Sequence, residues 1–464
     1  MERESSLILN RWGIVKTILL FACGYISCLL INVVMRENLE KFPSTPNASN
    51  ASNAPNASNT PTPPIFCLLL CGGLELPIYF YTFVLQFKLK TIRQMEKFST
   101  ERVVFLDYLR VIACFMVIMV HSCEPFYLGG KGTFILNEID GLWVTLLDSP
   151  FRSSVPLFMM ASSYLLFPVK GSVSDFFRRR FVRVVIPLLV WLVVYTLFPL
   201  VQESGVDGMV AYLRQLPFNF VDNAGHLWFV YMILGVYLLM PMISDWAERL
   251  TKREEEIFLA LWLFTTLVPF LRQLAIFSYG RNELWGEANW NEFGALYYAS
   301  GYVGYLLLGH YFKRWVPELS WRKTLAIATP LWLVGFAIVA GWFWWTMPKS
   351  FPVNESIDLA VYMEQSWRFC TIGVVMTTIA YFLVIRKFTC SGRFYTSIIQ
   401  PLSKLSYGLY LMHIVVLVYV HQLVSSWHLP TVYAILLIAV LTFSISALAT
   451  KLISFVPKSK YIIG

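Results

Sequence analysis

Residues Phe105 to Tyr127 read FLDYLRVIACFMVIMVHSCEPFY. The run from Val111 to Val120 has no charged residue, and the whole stretch has the length of a membrane-crossing helix, which takes roughly 20 apolar residues. Two ionisable groups interrupt it. Arg110 and His121 are eleven residues apart. At about 100° per residue they project from nearly the same face, roughly 16 Å apart along the axis. Glu124 follows His121 by three, so its carboxylate reaches the imidazole. Such a pair fixes the tautomer and raises the basicity of the ring, as a general base requires. One charge at mid-bilayer costs roughly 3 kcal/mol on insertion scales, so these groups are paired, wet or functional. The structural alternatives are a hydrogen-bonded packing role for His121 and a snorkelling role for Arg110, paired to Asp107.

The rest of the chain has the same character. Of 464 residues 57% are hydrophobic and only 14% charged, against about 25% charged in a soluble domain. Apolar runs fall at 12–34, 64–87, 104–126, 143–167, 181–201, 227–244, 257–277, 293–312, 324–346, 367–386, 403–424 and 431–455. The fold expected is all-α, a polytopic transmembrane helix bundle of about 12 spans, two accessory and ten core. The first run is too long for a signal-peptide h-region and no small-residue cleavage site follows, so it is expected to be retained. The net charge of +9 suggests nucleic acid until its placement is considered. Lys88, Lys90, Arg93, Lys97, Arg178, Arg179, Arg180, Arg249, Lys252, Lys313, Arg314, Arg386, Lys387, Lys458 and Lys460 occupy every second connection and the C-terminal tail. This alternation puts both termini in the cytoplasm, against membrane lipids and not nucleic acid. The eight cysteines, Cys23, Cys28, Cys67, Cys71, Cys114, Cys123, Cys370 and Cys390, lie mostly in apolar runs. They read as small apolar residues, with neither a disulfide framework nor a metal site expected.

Residues 43–64, PSTPNASNASNAPNASNTPTPP, have no apolar face and many Pro, and are expected to be a disordered external loop. The acceptor-like triplets at Asn47, Asn50 and Asn56 read as repeat expansion. The domains expected are therefore 1–101, an accessory two-span module with a basic linker, and 102–464, a ten-span functional domain. The sequence SDFFRRRFVRVVIPLLVW, from Ser174 to Trp191, sets Arg178, Arg179, Arg180 and Arg183 at a cytoplasmic span entrance. Guanidinium groups make bidentate contacts to phosphate, which suits a phosphorylated donor. The alternative is a topology-setting cluster on lipid phosphates. Arg272 and Arg368 lie near outer span ends, and Trp345, Trp367 and Trp427 fall where an aromatic belt belongs.

Four motifs together, from about Arg102 to Phe455, resemble the acyltransferase-3 family of membrane acyltransferases, which modify cell-envelope and surface glycans. They are Arg110 with His121, Arg180-Phe181-Val182-Arg183 followed by Pro187, HLWFVYMILGVYLLMP from His226 to Pro241, and SYGLYLMH from Ser406 to His413. Ser163, within Ala161-Ser162-Ser163-Tyr164, stands where the family carries Gly. The resemblance implies transfer of an acyl group, acetyl by family default, from cytoplasmic acyl-CoA to a glycan or lipid-linked saccharide. It further implies a bacterial inner (cytoplasmic) membrane location and acyl-CoA as co-substrate, with no bound cofactor. His121, Arg110 and Glu124 would be the catalytic group, and Arg180, Arg183 and Arg179 the donor-binding group. His226, His413, Ser162 and Tyr164 are candidates for the acceptor or channel. The acceptor atom is a hydroxyl or an amine, and His121 a general base or an acyl carrier. Two other classes compete. A secondary transporter or glycolipid flippase would show inverted repeats and Gly/Pro-broken helices in matching halves; the sequence shows neither. A scaffold would leave the Arg–His pair unexplained.

Overall fold

The structure, a computed structural model, describes residues 102–201, 205–218, 221–280, 284 and 294–464. The accessory module expected over 1–101 lies outside the described residues. The helices are α1 (Val104–Cys123), α2 (Glu138–Asp148), α3 (Ser154–Leu166), α4 (Val173–Arg180), α5 (Ile186–Leu197), α6 (Gly205–Gln215), α7 (Trp228–Arg249) and α8 (Lys252–Thr265). They continue as α9 (Val268–Tyr279), α10 (Val303–Arg314), α11 (Trp321–Thr346), α12 (Ile357–Met363), α13 (Ile372–Ile385), α14 (Gln400–Ser425), α15 (Thr431–Ile453) and α16 (Lys460–Ile463). Seven continuous helical stretches among the described residues are long and apolar enough to cross a bilayer, eight if one bent pair is counted as a single span. The chain is an integral membrane protein built as an all-α bundle. The central position of α1 follows from its composition. It is apolar on nearly every side, and it packs against α3, α14 and α15.

Three of the ten expected core spans are irregular. The 143–167 run is α2 and α3 separated by a tight turn at Ser149–Phe151, where Pro150 offers no N–H to the preceding turn. The 293–312 run supplies only the twelve residues of α10 as α-helix. A third run, 367–386, begins inside a break. Ile357–Trp367 and Ile372–Ile385 form a pair bent by 46°. Thr371 Oγ1 caps this break by donating to the carbonyls of Ser366 and Arg368, at 3.0 and 2.8 Å. Helix breaks therefore exist, one of them at Pro150. They fall on the second and eighth core runs, not on corresponding positions of two halves.

One three-stranded antiparallel sheet closes the His121 end of α1. Its strands are β1 (Leu128–Gly129), β2 (Gly132–Ile135) and β3 (Val353–Ser356). Gly132 has φ +135°, and a Cβ there would lie 2.5 Å from the Ile357 nitrogen, so only glycine fits. Thr133 locks the sheet to α12, donating to Ser356 O at 2.8 Å and accepting from Ala360 N at 3.0 Å.

Ser163, where the resemblance implied glycine, sits at a close helix contact. Ser163 is fully buried, and its hydroxyl donates to the Leu306 carbonyl of α10 at 2.5 Å. Opposite it stands Gly309, where a Cβ would come within 2.7 Å of Ser163 Cβ. The glycine that lets the two helices approach sits here on α10, and the small polar residue on α3.

Candidate active site at the His121 end of α1

Three imidazoles from three helical segments converge. His121 ends α1, His226 lies in the short turn before α7, and His413 is in the middle of α14. Their ring centroids are 5.3 Å apart for His121 and His413, 5.0 Å for His226 and His413, and 6.4 Å for His121 and His226. His121 Nδ1 lies 2.9 Å from Glu124 Oε1. A carboxylate only accepts, so Nδ1 holds the proton and, in the neutral ring, Nε2 holds the lone pair. His413 Nδ1 donates to the Tyr410 carbonyl at 2.5 Å, and its Nε2 is buried with no partner. Tyr195 Oη donates to the Leu411 carbonyl at 2.9 Å and lies 3.2 Å from His226 Nε2. The tyrosine proton being spent, His226 Nε2 is the donor and Nδ1 its lone-pair nitrogen. A cavity of about 380 Å³ opens on this cluster, lined by His121, Glu124, His226, Trp228, Asp222 and Asn223 among others. Among the described residues no group of three or more His, Cys, Asp or Glu side chains is disposed to hold a metal ion.

Helix α14 measures the distance from this cluster to the opposite end of the bundle. Ser403 donates to Asp107 Oδ1 at 2.7 Å, and Tyr395 to Asp107 Oδ2 at 2.6 Å. Arg110 Nη1 lies 3.6 Å from the same carboxylate. Further along, Tyr407 donates to the Val184 carbonyl at 2.9 Å, Tyr410 donates to the His226 carbonyl, and His413 meets His121. Ten residues separate Ser403 from His413, roughly 15 Å of helix. The SYGLYLMH segment thus touches in turn the helix entering from the arginine cluster and the histidines. Arg110 and His121 lie near opposite ends of this seam, as their spacing requires.

At the arginine end, α4 passes into α5 through a wider π-turn over Phe181–Val185. Such turns interrupt the regular spacing and recur at functional sites. Arg180 is half-buried, its guanidinium 5.6 Å from the rings of both Phe176 and Tyr237, and its Nε has no partner. Arg179 and Arg183 are exposed. The π-turn begins between Arg180 and Arg183. None of these arginines lines the cavity at His121. The C-terminal α16 folds against the same region. Trp191 Nε1 donates to the Ile462 carbonyl at 2.9 Å, and Gly408 leaves the room that Ile463 fills.

Two of the acceptor or channel candidates do not reach the histidines. Tyr164 packs on Phe105 at 5.1 Å, with Lys313 5.7 Å above its ring. Phe105 is sixteen residues before His121 on α1, roughly 24 Å away along the helix. Ser162 is half-buried on the same stretch of α3. Trp367 is not a belt residue: it is 1% exposed and stacked on Phe343 at 4.0 Å, whereas Trp345 and Trp427 are exposed. His421 lies 3.2 Å from Ser425, away from the cluster. The four described cysteines are free thiols.

Sequence reasoning passed over a buried charge cluster. Arg152 pairs with Asp148 through Nε and through Nη2 at 2.7 Å, and both residues are at most 7% exposed. Tyr127 Oη donates to Glu364 Oε1 at 2.6 Å and lies 3.4 Å from Arg152 Nη2. The signal was present in LLDSPFRSSVPLF: an acid and a base four apart, flanking a proline inside an apolar run. A second such pair is His310 with Glu255, 2.8 Å apart and almost fully buried, which Trp315 also bonds at 2.8 Å.

The acyltransferase-3 family model, an acyltransferase domain, matches residues 103–451, well over half of the chain. The chain therefore belongs to that family and is a membrane acyltransferase. No curated protein and no solved structure matches it.

Proposed function

We propose that this membrane acyltransferase moves an acyl group, acetyl in the simplest case, from cytoplasmic acyl-CoA to a hydroxyl of a cell-envelope or surface glycan, with His121 as general base. Arg180 holds a CoA phosphate at its end of the bundle, supported by the more exposed Arg179 and Arg183. The pantetheine arm runs along the seam between α5, α7 and α14, past Tyr407 and Tyr410. Arg110, held by Asp107, adds positive charge near the donor end. At the far end the acceptor O–H gives its proton to His121 Nε2, and the oxygen attacks the thioester carbonyl. The tetrahedral intermediate then collapses. The C–S bond breaks, and the CoA sulfur leaves as thiolate and takes back the proton from His121. The products are the ester and CoA-SH, so nothing else is consumed. Glu124 holds the imidazole in the tautomer this needs and stabilises the imidazolium as it forms.

The observation that supports this most is the 2.9 Å contact between His121 Nδ1 and Glu124. It leaves Nε2 as the basic nitrogen of a ring on the cavity wall. The test is transfer of labelled acetyl from acetyl-CoA to a saccharide by purified His121→Ala. General-base catalysis contributes about 10²–10⁴, so the rate should fall by that factor with acetyl-CoA binding intact. Retained transfer would remove His121 from the chemistry.

A further inference from the structure

The two helix breaks face each other. Trp367, at the α12–α13 break, donates its indole N–H to Ser149 Oγ at the α2–α3 break, 3.1 Å away. The Arg152 guanidinium lies 4.1 Å above the Trp367 ring. Irregular backbone at membrane depth is tolerated only inside protein or along a wet cavity. Ionisable side chains placed there are functional candidates by default. Four of them flank these breaks: Asp148, Arg152, Glu364 and Arg368. Between the breaks opens a second cavity of about 390 Å³, lined by Arg152, Glu364, Arg368, Tyr302 and Phe369 among others. That volume lies within the ~300–1,000 Å³ usual for ligand sites. Nothing in the transfer step uses it.

An aromatic partition joins it to the site at His121. Trp228, two residues after His226, lines the first cavity. Its ring stacks on Phe369 at 5.4 Å and 26°, and lies 6.2 Å from Tyr302. Phe369 and Tyr302 line the second cavity. The Trp228–Phe369 stack is therefore the wall that the two cavities share, one ring on each side.

The chemistry of the lining selects its occupant. Two guanidinium groups, Arg152 and Arg368, and one carboxylate, Glu364, line it, and the buried Asp148 behind the wall neutralises Arg152, so the site as a whole carries no net charge that calls for an ion. Donors and acceptors are dense, and flat ring faces stand beside them. Hydroxyl-rich molecules with apolar ring faces meet both demands at once.

We propose that the second cavity binds an uncharged sugar unit adjoining the one acylated, making it the acceptor-recognition subsite. This rests on the acyl-transfer function proposed above. The test uses the full-length protein in lipid nanodiscs. Saturation-transfer NMR would measure binding of neutral trisaccharides (maltotriose, chitotriose and globotriose) and of the anionic trigalacturonate. At least one neutral trisaccharide should bind. Phe369→Ala should weaken it by about tenfold, the loss of one stacking ring, while Phe369→Tyr keeps it. The acetyl-CoA KM should be unchanged, which also reports that the variants fold. Absence of neutral trisaccharide binding, equal binding to Phe369→Ala, or preference for trigalacturonate would each overturn the proposal. His121→Ala separates the two ideas. Continued transfer by that variant would end the general-base assignment alone. Trisaccharide binding indifferent to Phe369, with transfer still dependent on His121, would end the subsite alone.

Discussion

Replacing Glu124 by Gln changes one thing at the site: the acceptor of the His121 Nδ1 proton loses its charge but not its oxygen. A hydrogen bond to a charged group contributes about 1.5–3 kcal/mol and a neutral one about 0.5–1.5 kcal/mol. The difference, about 1–1.5 kcal/mol, is felt in full only when the ring carries the proton, that is, on the way to the transition state. The Glu124 side chain is 35% exposed, and water screens part of this, which brings the expected loss to about 1 kcal/mol. That is a fall in kcat of about fivefold. Acetyl-CoA KM should not move, because Glu124 is at the far end of α1 from the arginines. The assay is a double-mutant cycle on labelled-acetyl transfer, since residues acting as one unit are non-additive. His121→Ala should lower kcat by about 10²–10⁴, and adding Glu124→Gln to it should lower kcat no further. A fivefold loss that persists in the His121→Ala background would show Glu124 acting on something other than the ring. A fully active Glu124→Gln would show the ion pair irrelevant to turnover.

Arg180→Ala should raise the acetyl-CoA KM by about 10–100-fold, the worth of one charge-assisted contact to phosphate, with kcat little changed; an unaltered KM would exclude a donor role. Arg152→Leu strands Asp148 as a buried unpaired carboxylate and should destabilise the protein by about 3–5 kcal/mol, read as a lowered midpoint in tryptophan-monitored thermal unfolding in detergent. Replacing both Asp148 and Arg152 with Leu should recover most of that midpoint, and a double variant as unstable as the single would contradict the uncompensated-charge explanation. Gly309→Ala should overpack the α3–α10 contact by about 1–3 kcal/mol. Adding Ser163→Gly should restore part of it, but not all, because the Met160 carbonyl also lies 2.9 Å from the new Cβ.

The helices were legible because membrane spans are long runs of one chemical kind, and the eleven-residue interval on α1 put Arg110 and His121 at separate ends directly. Sequence alone does not give partners across helices. His226 and His413 are 187 residues apart, and nothing in either motif says that their rings meet. The same limit hid the second cavity. Asp148 and Arg152 were readable as an i,i+4 pair, but Glu364 and Trp367 join them only through tertiary packing. The error on Trp367 has a similar source: an aromatic near a span end usually marks the interface. Here the helix breaks and turns the indole inward, onto Ser149. Ser163 and Gly309 show how a one-residue motif can mislead. In this chain Gly309 allows the close approach, and Ser163 opposite it adds a hydrogen bond to the Leu306 carbonyl.

The three tautomers together say something that none says alone. Each imidazole gives its single N–H to a protein acceptor: Glu124, the Tyr410 carbonyl and the Tyr195 hydroxyl. Each neutral ring is then left with one lone pair, and that of His413 is buried without a partner. A ligand bound against His121 and His226, which line the cavity with His413 packed behind them, must bring its own donors. A thioester has none, and a sugar hydroxyl has one on every oxygen. On the proposed function, the acceptor hydroxyl is the group that meets this demand at the reacting centre. Neutral rings also avoid most of the penalty that carboxylates would meet at this depth. His413→Phe therefore separates acceptor binding from base catalysis. It should raise the acceptor KM by several-fold, about the loss of one hydrogen bond, while the acetyl-CoA KM stays fixed. A variant whose only defect is in acetyl-CoA KM would place His413 on the donor path and overturn this division of the site.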